Sequence, residues 1–127
     1  MKVERRMFAA RGAIQVESDS RERMVEAVLT LFDRIVSDNA IEQQDMVCIQ
    51  FTVTPDLRSM NPATALRSRD NSFPVPLFCM QEPVVDGMLE RTIRLMVMFY
   101  ADADHKVAHA YIGGAARLRS DIAGENR

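Results

Sequence analysis

Residues 92–100 read Thr-Ile-Arg-Leu-Met-Val-Met-Phe-Tyr. An apolar run of this length suits a buried helix segment or a strand, and alternation decides between them. Ile93, Leu95, Val97 and Phe99 fall on one face, and Thr92, Arg94, Met96 and Met98 on the other, which predicts a strand. Both neighbours of Arg94 along the chain are apolar. A guanidinium in such a segment is costly unless it is paired or meets a charged ligand, so Arg94 wants an anion. Upstream, Leu77-Phe-Cys-Met80 runs into Gln81 and Glu82, and Pro83-Val-Val-Asp-Gly87 turns the chain back. A carboxylate at the end of an apolar run wants a donor. Together these two charges predict a site for a small polar molecule.

Working outward, residues 75–80 form a strand opened by Pro74 and Pro76, which suit an edge or a strand start. Met46 to Val53 is a strand rich in β-branched residues, followed by a Thr54-Pro-Asp-Leu57 turn. Pro62 sits well in the first turn of a short helix through Arg67, with Asn61 as N-cap. Residues 7–16 read as a first strand that Arg11-Gly12 interrupts, by a bulge or a close backbone approach. Asp19-Ser-Arg-Glu22 resembles a capping box, and Met24, Val28, Leu31 and Ile35 then recur at helical spacing until Ser37-Asp-Asn39. Val107 to Ile112 is a fifth strand, broken by Gly113-Gly114, with Ala115 to Arg119 continuing extended and residues from about 120 to 127 as a flexible tail.

The order β-α-β-α-β-β-β over one domain, 1–127, predicts an α+β fold: a mixed five-stranded sheet with helices on one face. The chain has too little helix to cover the other face, so self-association is expected.

Composition narrows the function. A formal net charge of −2 speaks against a nucleic-acid footprint, and no apolar stretch approaches membrane-spanning length. Met1-Lys-Val-Glu-Arg-Arg6 is not followed by an apolar run, so no signal peptide is expected. Cys48 and Cys79 lie in strand-like runs and read as reduced, buried thiols of a cytoplasmic protein, with a disulfide as the alternative. Fourteen arginines stand against two lysines, and arginine is the better residue for bidentate carboxylate recognition. His105 and His109 lie roughly 13 Å apart along a strand and predict no metal site. A Cys79 nucleophile lacks a nearby base, and no glycine-rich phosphate loop is present.

Several blocks carry a resemblance. Arg11-Gly-Ala13, Thr54-Pro-Asp-Leu57, Pro62-Ala-x-Ala-x-Arg67, Pro76-x-x-Cys-Met-Gln-Glu82, Ile93-Arg94 and Tyr111 with Leu118-Arg119 resemble, in order and spacing, the AroH-type chorismate mutases. The resemblance spans about residues 8–121. It departs from the family pattern at Asn61, Thr64, Phe78 and Ser120.

This resemblance implies a homotrimeric pseudo-α/β barrel with active sites between subunits. It implies conversion of chorismate to prephenate in aromatic amino-acid biosynthesis, with no cofactor and no metal. By position, Arg94 is expected at the ether oxygen and a substrate carboxylate, and Glu82 at the ring hydroxyl. Arg11 and Tyr111 are expected as substrate carboxylate or hydrogen-bonding partners, and Phe78, Cys79, Met80 and Gln81 to line the site. Arg67 and Arg119 are expected at its entrance. Two alternatives remain: a trimeric imine or enamine hydrolase of the Rid type, and a non-catalytic metabolite-binding protein.

Overall fold

A computed structural model describes residues 4–119; the side chains of Arg117 and Arg119 lie outside the described set. The chain forms β1 (Arg5–Gln15), α1 (Arg21–Asn39), β2 (Met46–Val53), α2 (Pro62–Arg67), β3 (Leu77–Gln81), β4 (Thr92–Asp102) and β5 (Ala110–Ile112). Two 3-10 segments, Gln43–Asp45 and Gly113–Arg119, complete it. The five strands make one mixed sheet in the order β3-β2-β4-β1-β5. β4 runs antiparallel to both β1 and β2, and the outer pairs β2–β3 and β1–β5 are parallel.

From Ile93 on, alternation along β4 holds: Ile93, Leu95, Val97 and Phe99 are buried, and of the other face only Thr92, at the start of the strand, is buried as well. They pack with Ile49 and Phe51 of β2 against the Met24, Val28, Leu31 and Ile35 stripe of α1. The sheet therefore has one face covered by helix, and Arg94, Met96 and Met98 point to the other.

Local chemistry sets the element ends. Asn61 caps α2 by accepting the Ala63 N–H at 2.8 Å, and Pro62 occupies the first turn. β3 begins at Leu77, two residues later than expected. Pro76 has no N–H to give a ladder, but its carbonyl accepts from Ile49 N–H and starts the pairing. The N-cap of α1 is Ser20, whose side chain accepts the Arg23 N–H, and not Asp19. Asp19 reaches across to the backbone N–H groups of Arg58 and Ser59 instead. Hydrogen bonding from Ser59, opposed by burial and joined by Arg58, holds its carboxyl below the ordinary value.

Two expectations at the C-terminal end need correction. The fifth strand covers only Ala110–Ile112. Buried Asn39 at the end of α1 takes both backbone groups of Ala108, donating to its carbonyl and accepting its N–H, each at 2.8 Å. That residue's ladder partners are thereby used up. Residues 115–119 are helical rather than extended, because Gly113 turns the chain at a positive φ of 64° and Ala115 folds back onto Ala13 and Tyr111. The tail from 120 to 127 lies outside the described residues.

β1 is continuous through Arg11-Gly12. Gly12 marks the close approach: a Cβ there would run into the Ala110 carbonyl oxygen and crowd Leu31. A second device fixes the start of β4. Arg91 has a left-handed φ of 47°, unfavourable for a residue with a side chain. Its N–H is held by both oxygens of Asp56, at 3.1 and 3.0 Å, and its Nε donates to the Val16 carbonyl. The Thr54 hydroxyl donates to Asp56 and accepts the Thr92 N–H, tying the end of β2 to the first residue of β4.

Gly12→Ala is expected to lose about 1–3 kcal/mol of stability, because the new methyl meets backbone that must shift. Urea unfolding measures it, with hydrogen exchange at Tyr111 rising as β5 loosens. Asp56→Ala releases the strained Arg91. The expected loss is about 1.5 kcal/mol, the low end for a hydrogen bond to a charge, since Asp56 is exposed. The same titration reads it.

Candidate active site

On the uncovered face, Arg11, Gln50, Thr52, Met80, Arg94, Met96 and Tyr111 surround a depression of about 200 Å³, to which Gly12 and Leu95 also contribute although the Leu95 side chain is committed to the core. Each side chain gets there by register. Thr52 lies directly opposite Arg94 in the β2–β4 pair, and Gln50 opposite Met96. Arg11 lies opposite Met96 on the other flank of β4. Met80 is level with Thr52 in the β2–β3 pair.

Glu82 follows the last residue of β3, but its N–H still donates to the Val53 carbonyl at 2.9 Å. The ladder is thus extended by one step, and Glu82 keeps the face of Phe78 and Met80. Its Oε1 accepts two donors: the Thr52 hydroxyl at 2.7 Å and the Arg94 Nε at 2.5 Å. The Glu82 side chain is 13% exposed and that of Arg94 43%. Pairing through Nε fixes the guanidinium plane. The terminal nitrogens of Arg94 donate no hydrogen bond to any described residue, so they remain for an incoming anion. This is a pre-oriented cation on the open sheet face, suited to stabilising negative charge that develops on a bound oxygen.

The flanks are held independently. The Arg11 N–H donates to His109 Nδ1 at 3.1 Å, which assigns that histidine a proton on Nε2 if neutral. Tyr111 is buried beside Ala13 and Ala115 and closes the β5 end.

The other sequence-derived site residues scatter. Phe78 is on the same face as Met80 and is 64% exposed. Cys79 pairs with Phe51 and packs on the helix-side core, and Gln81 pairs with Val53, so both alternate away from Arg94. Burial pushes the Cys79 thiol up from its ordinary value, which suits an inert core thiol. Cys48 and Cys79 are both free, so the disulfide alternative falls. Arg67 is exposed on the last turn of α2, away from the depression. The Arg119 side chain lies outside the described residues. Thr52, Gln50 and Met96 were not singled out from sequence. Alternation along β4 places Met96 beside Arg94, whereas the signal for Gln50 and Thr52 lies in the β2–β4 register, which one chain segment does not reveal.

A larger depression of about 400 Å³ lies between the end of α1 and the end of β4, lined by Arg5, Asp45, Asp102, Asp104 and His105 among others. Arg5 there is within 3.3 Å of Asp45 and 3.9 Å of Asp102. Acidic groups outnumber the cation, so an anion gains nothing. His105 contacts Asn39 Oδ1 and stacks edge-on with Phe8 and Phe99. Among the described residues no three His, Cys, Asp or Glu side chains converge as metal ligands. No helix among them is long and apolar enough to cross a membrane.

Comparison with known proteins gives a consistent picture. The family model described as chorismate mutase type I matches residues 7–122. The chain is 34% identical over 113 residues to chorismate mutase AroH of Bacillus subtilis (strain 168), covering 88% of this chain and 89% of that protein. It is 37% identical over 114 residues to chorismate mutase AroH of Thermus thermophilus, covering 88% and 93%. A solved structure of a chorismate mutase from Clostridium thermocellum superposes with a TM-score of 0.78 at 33% identity, covering 87% of this chain and 99% of that one.

Proposed function

The chain belongs to the type I chorismate mutase family, and we propose that the depression beside Arg94 is where it converts chorismate to prephenate. It is an isomerase of aromatic amino-acid biosynthesis. Family membership does not favour the imine-hydrolase or non-catalytic readings.

The chemistry fits the groups present. In this rearrangement the ether C–O bond breaks as a C–C bond forms within one six-membered transition state. No atom leaves and no proton moves, so neither nucleophile nor base is required. Negative charge grows on the ether oxygen as the bond lengthens. The terminal nitrogens of Arg94 face that oxygen, and they bind it more tightly in the transition state than in the ground state. Glu82 has a second carboxylate oxygen for the ring hydroxyl. Arg11 and Tyr111 grip carboxylate and hold the side arm over the ring, selecting the reactive conformer. Phe78 and Met80 supply apolar wall, while Cys79 and Gln81 act only through the strand that carries Met80 and Glu82. A modest enzymatic acceleration needs about 8 kcal/mol. Hydrogen bonds to charged groups contribute about 1.5–3 kcal/mol each, so three or four such groups with conformer selection suffice.

The working form is a homotrimer, in which neighbouring chains cover the open sheet face and complete each pocket. The exposed Met7, Phe78, Met80 and Tyr100 on that face support this reading. Arg67 then reaches a neighbour's pocket entrance, with Arg119 in a similar role. The protein acts in the cytoplasm.

The observation that carries the proposal is the Arg94 guanidinium, anchored by Nε and open at its far edge. Arg94→Ala is expected to lower kcat by at least about a hundredfold with assembly unchanged. Arg94→Lys keeps charge but loses the planar fork, and should recover little of that loss. Loss of chorismate absorbance measures both; near-normal turnover in Arg94→Ala removes the assigned role.

A further inference from the structure

Thr52 has no part in the roles set out above, yet it makes the shortest neutral-donor contact to the charged pair. We propose that Thr52 is a positioning residue that keeps the Glu82–Arg94 pair singly bonded, so that one edge of the guanidinium and one carboxylate oxygen stay available to substrate. The inference rests on the reading of this pocket as the chorismate site.

An ionised carboxylate only accepts, so the Thr52 hydroxyl must donate to Glu82 Oε1, at 2.7 Å. Arg94 donates its Nε–H to the same oxygen. Two donors on one oxygen leave Oε2 without a hydrogen bond to any described residue. Arginine and carboxylate ordinarily prefer the two-bond fork, with a second N–H on the second oxygen. Here that second bond is not formed. The register explains why. Thr52 stands opposite Arg94 on β2 and level with Met80 on β3, so its hydroxyl reaches Glu82 from the β2 side. It ties down Oε1 and turns the carboxylate out of the fork.

Without the hydroxyl, a lone pair of Oε1 is left unsatisfied on a side chain only 13% exposed. The cheapest remedy is for the carboxylate to rotate and take a second N–H from Arg94. That would withdraw a terminal nitrogen and the free carboxylate oxygen together from the substrate. The effect should appear in the chemical step more than in binding, because carboxylate capture by Arg11 and Tyr111 is untouched.

Thr52→Val tests this with little structural risk, since valine keeps the shape and the β-branch suited to a strand. The expected result is a kcat about tenfold lower with KM changed less than about twofold, and an unfolding midpoint close to the parent's. Thr52→Ser, which restores the hydroxyl, should return kcat to near the parent value. A second readout does not depend on turnover: in the free protein, the Arg94 terminal N–H signals should become more protected in Thr52→Val as the fork closes. Unchanged kcat and unchanged arginine signals in Thr52→Val overturn the inference while leaving the pocket assignment intact. If the parent protein does not turn over chorismate, the pocket assignment fails, and the arginine signals alone then decide whether Thr52 restrains the pair.

Discussion

Arg94 sits on the central strand of the sheet, with β1 and β2 both bonded to it, so it cannot be relieved by fraying at an edge. The odd residues of β4 are committed to the core, which forces its guanidinium onto the open face. There it needs a carboxylate within reach. The parallel β2–β3 pairing supplies one, because it carries Glu82 one step beyond the strand end, from where its carboxylate reaches Thr52 and Arg94. The order β3-β2-β4 thus exists, in chemical terms, to let one acceptor meet one cation across three strands. Removing either partner would strand a partly buried charge, which costs more than the pair contributes by forming.

Much of this was legible from sequence where the cause is local. The Asn61-Pro62 cap and the Pro76 strand start act within a few residues, and the limits of β2 and α2 read correctly. Alternation along β4 identified the strand and placed Arg94 off the core. Errors arose where a distant residue intervened. Asn39 takes the backbone of Ala108, 69 positions away, and shortens β5. Asp19 leaves its capping position for Arg58 and Ser59, some 40 positions on. Thr52 looked like one β-branched strand residue among several until the register put it opposite Arg94. The block Phe78–Glu82 was read as a continuous lining, but strand geometry sends Cys79 and Gln81 to the other side.

The same face that carries the charges also exposes Met7, Phe78, Met80 and Tyr100. Apolar side chains exposed on the face that carries the charged pair make a surface suited to being covered. Covering them would exclude water from around Arg94 and Glu82. Attraction between Arg94 and a developing anion strengthens as the local dielectric falls. Burial of the sheet face and strengthening of the site would therefore be one event on the proposed reading.

Charge counting within the pocket carries that argument one step further. Arg94 and Arg11 contribute two positive charges and Glu82 one negative, a surplus of one. Chorismate brings two carboxylates. On the proposed reading, the described cations of one protomer's depression are therefore one short of neutralising the substrate, and a half-exposed Arg94 shares its charge with Glu82 in any case. Arg67 stands outside the depression of its own chain and is exposed there. On the proposed trimer, an arginine spare on one protomer would complement the pocket of the next, and this charge balance, as much as the bare apolar face, would tie the chemistry to assembly.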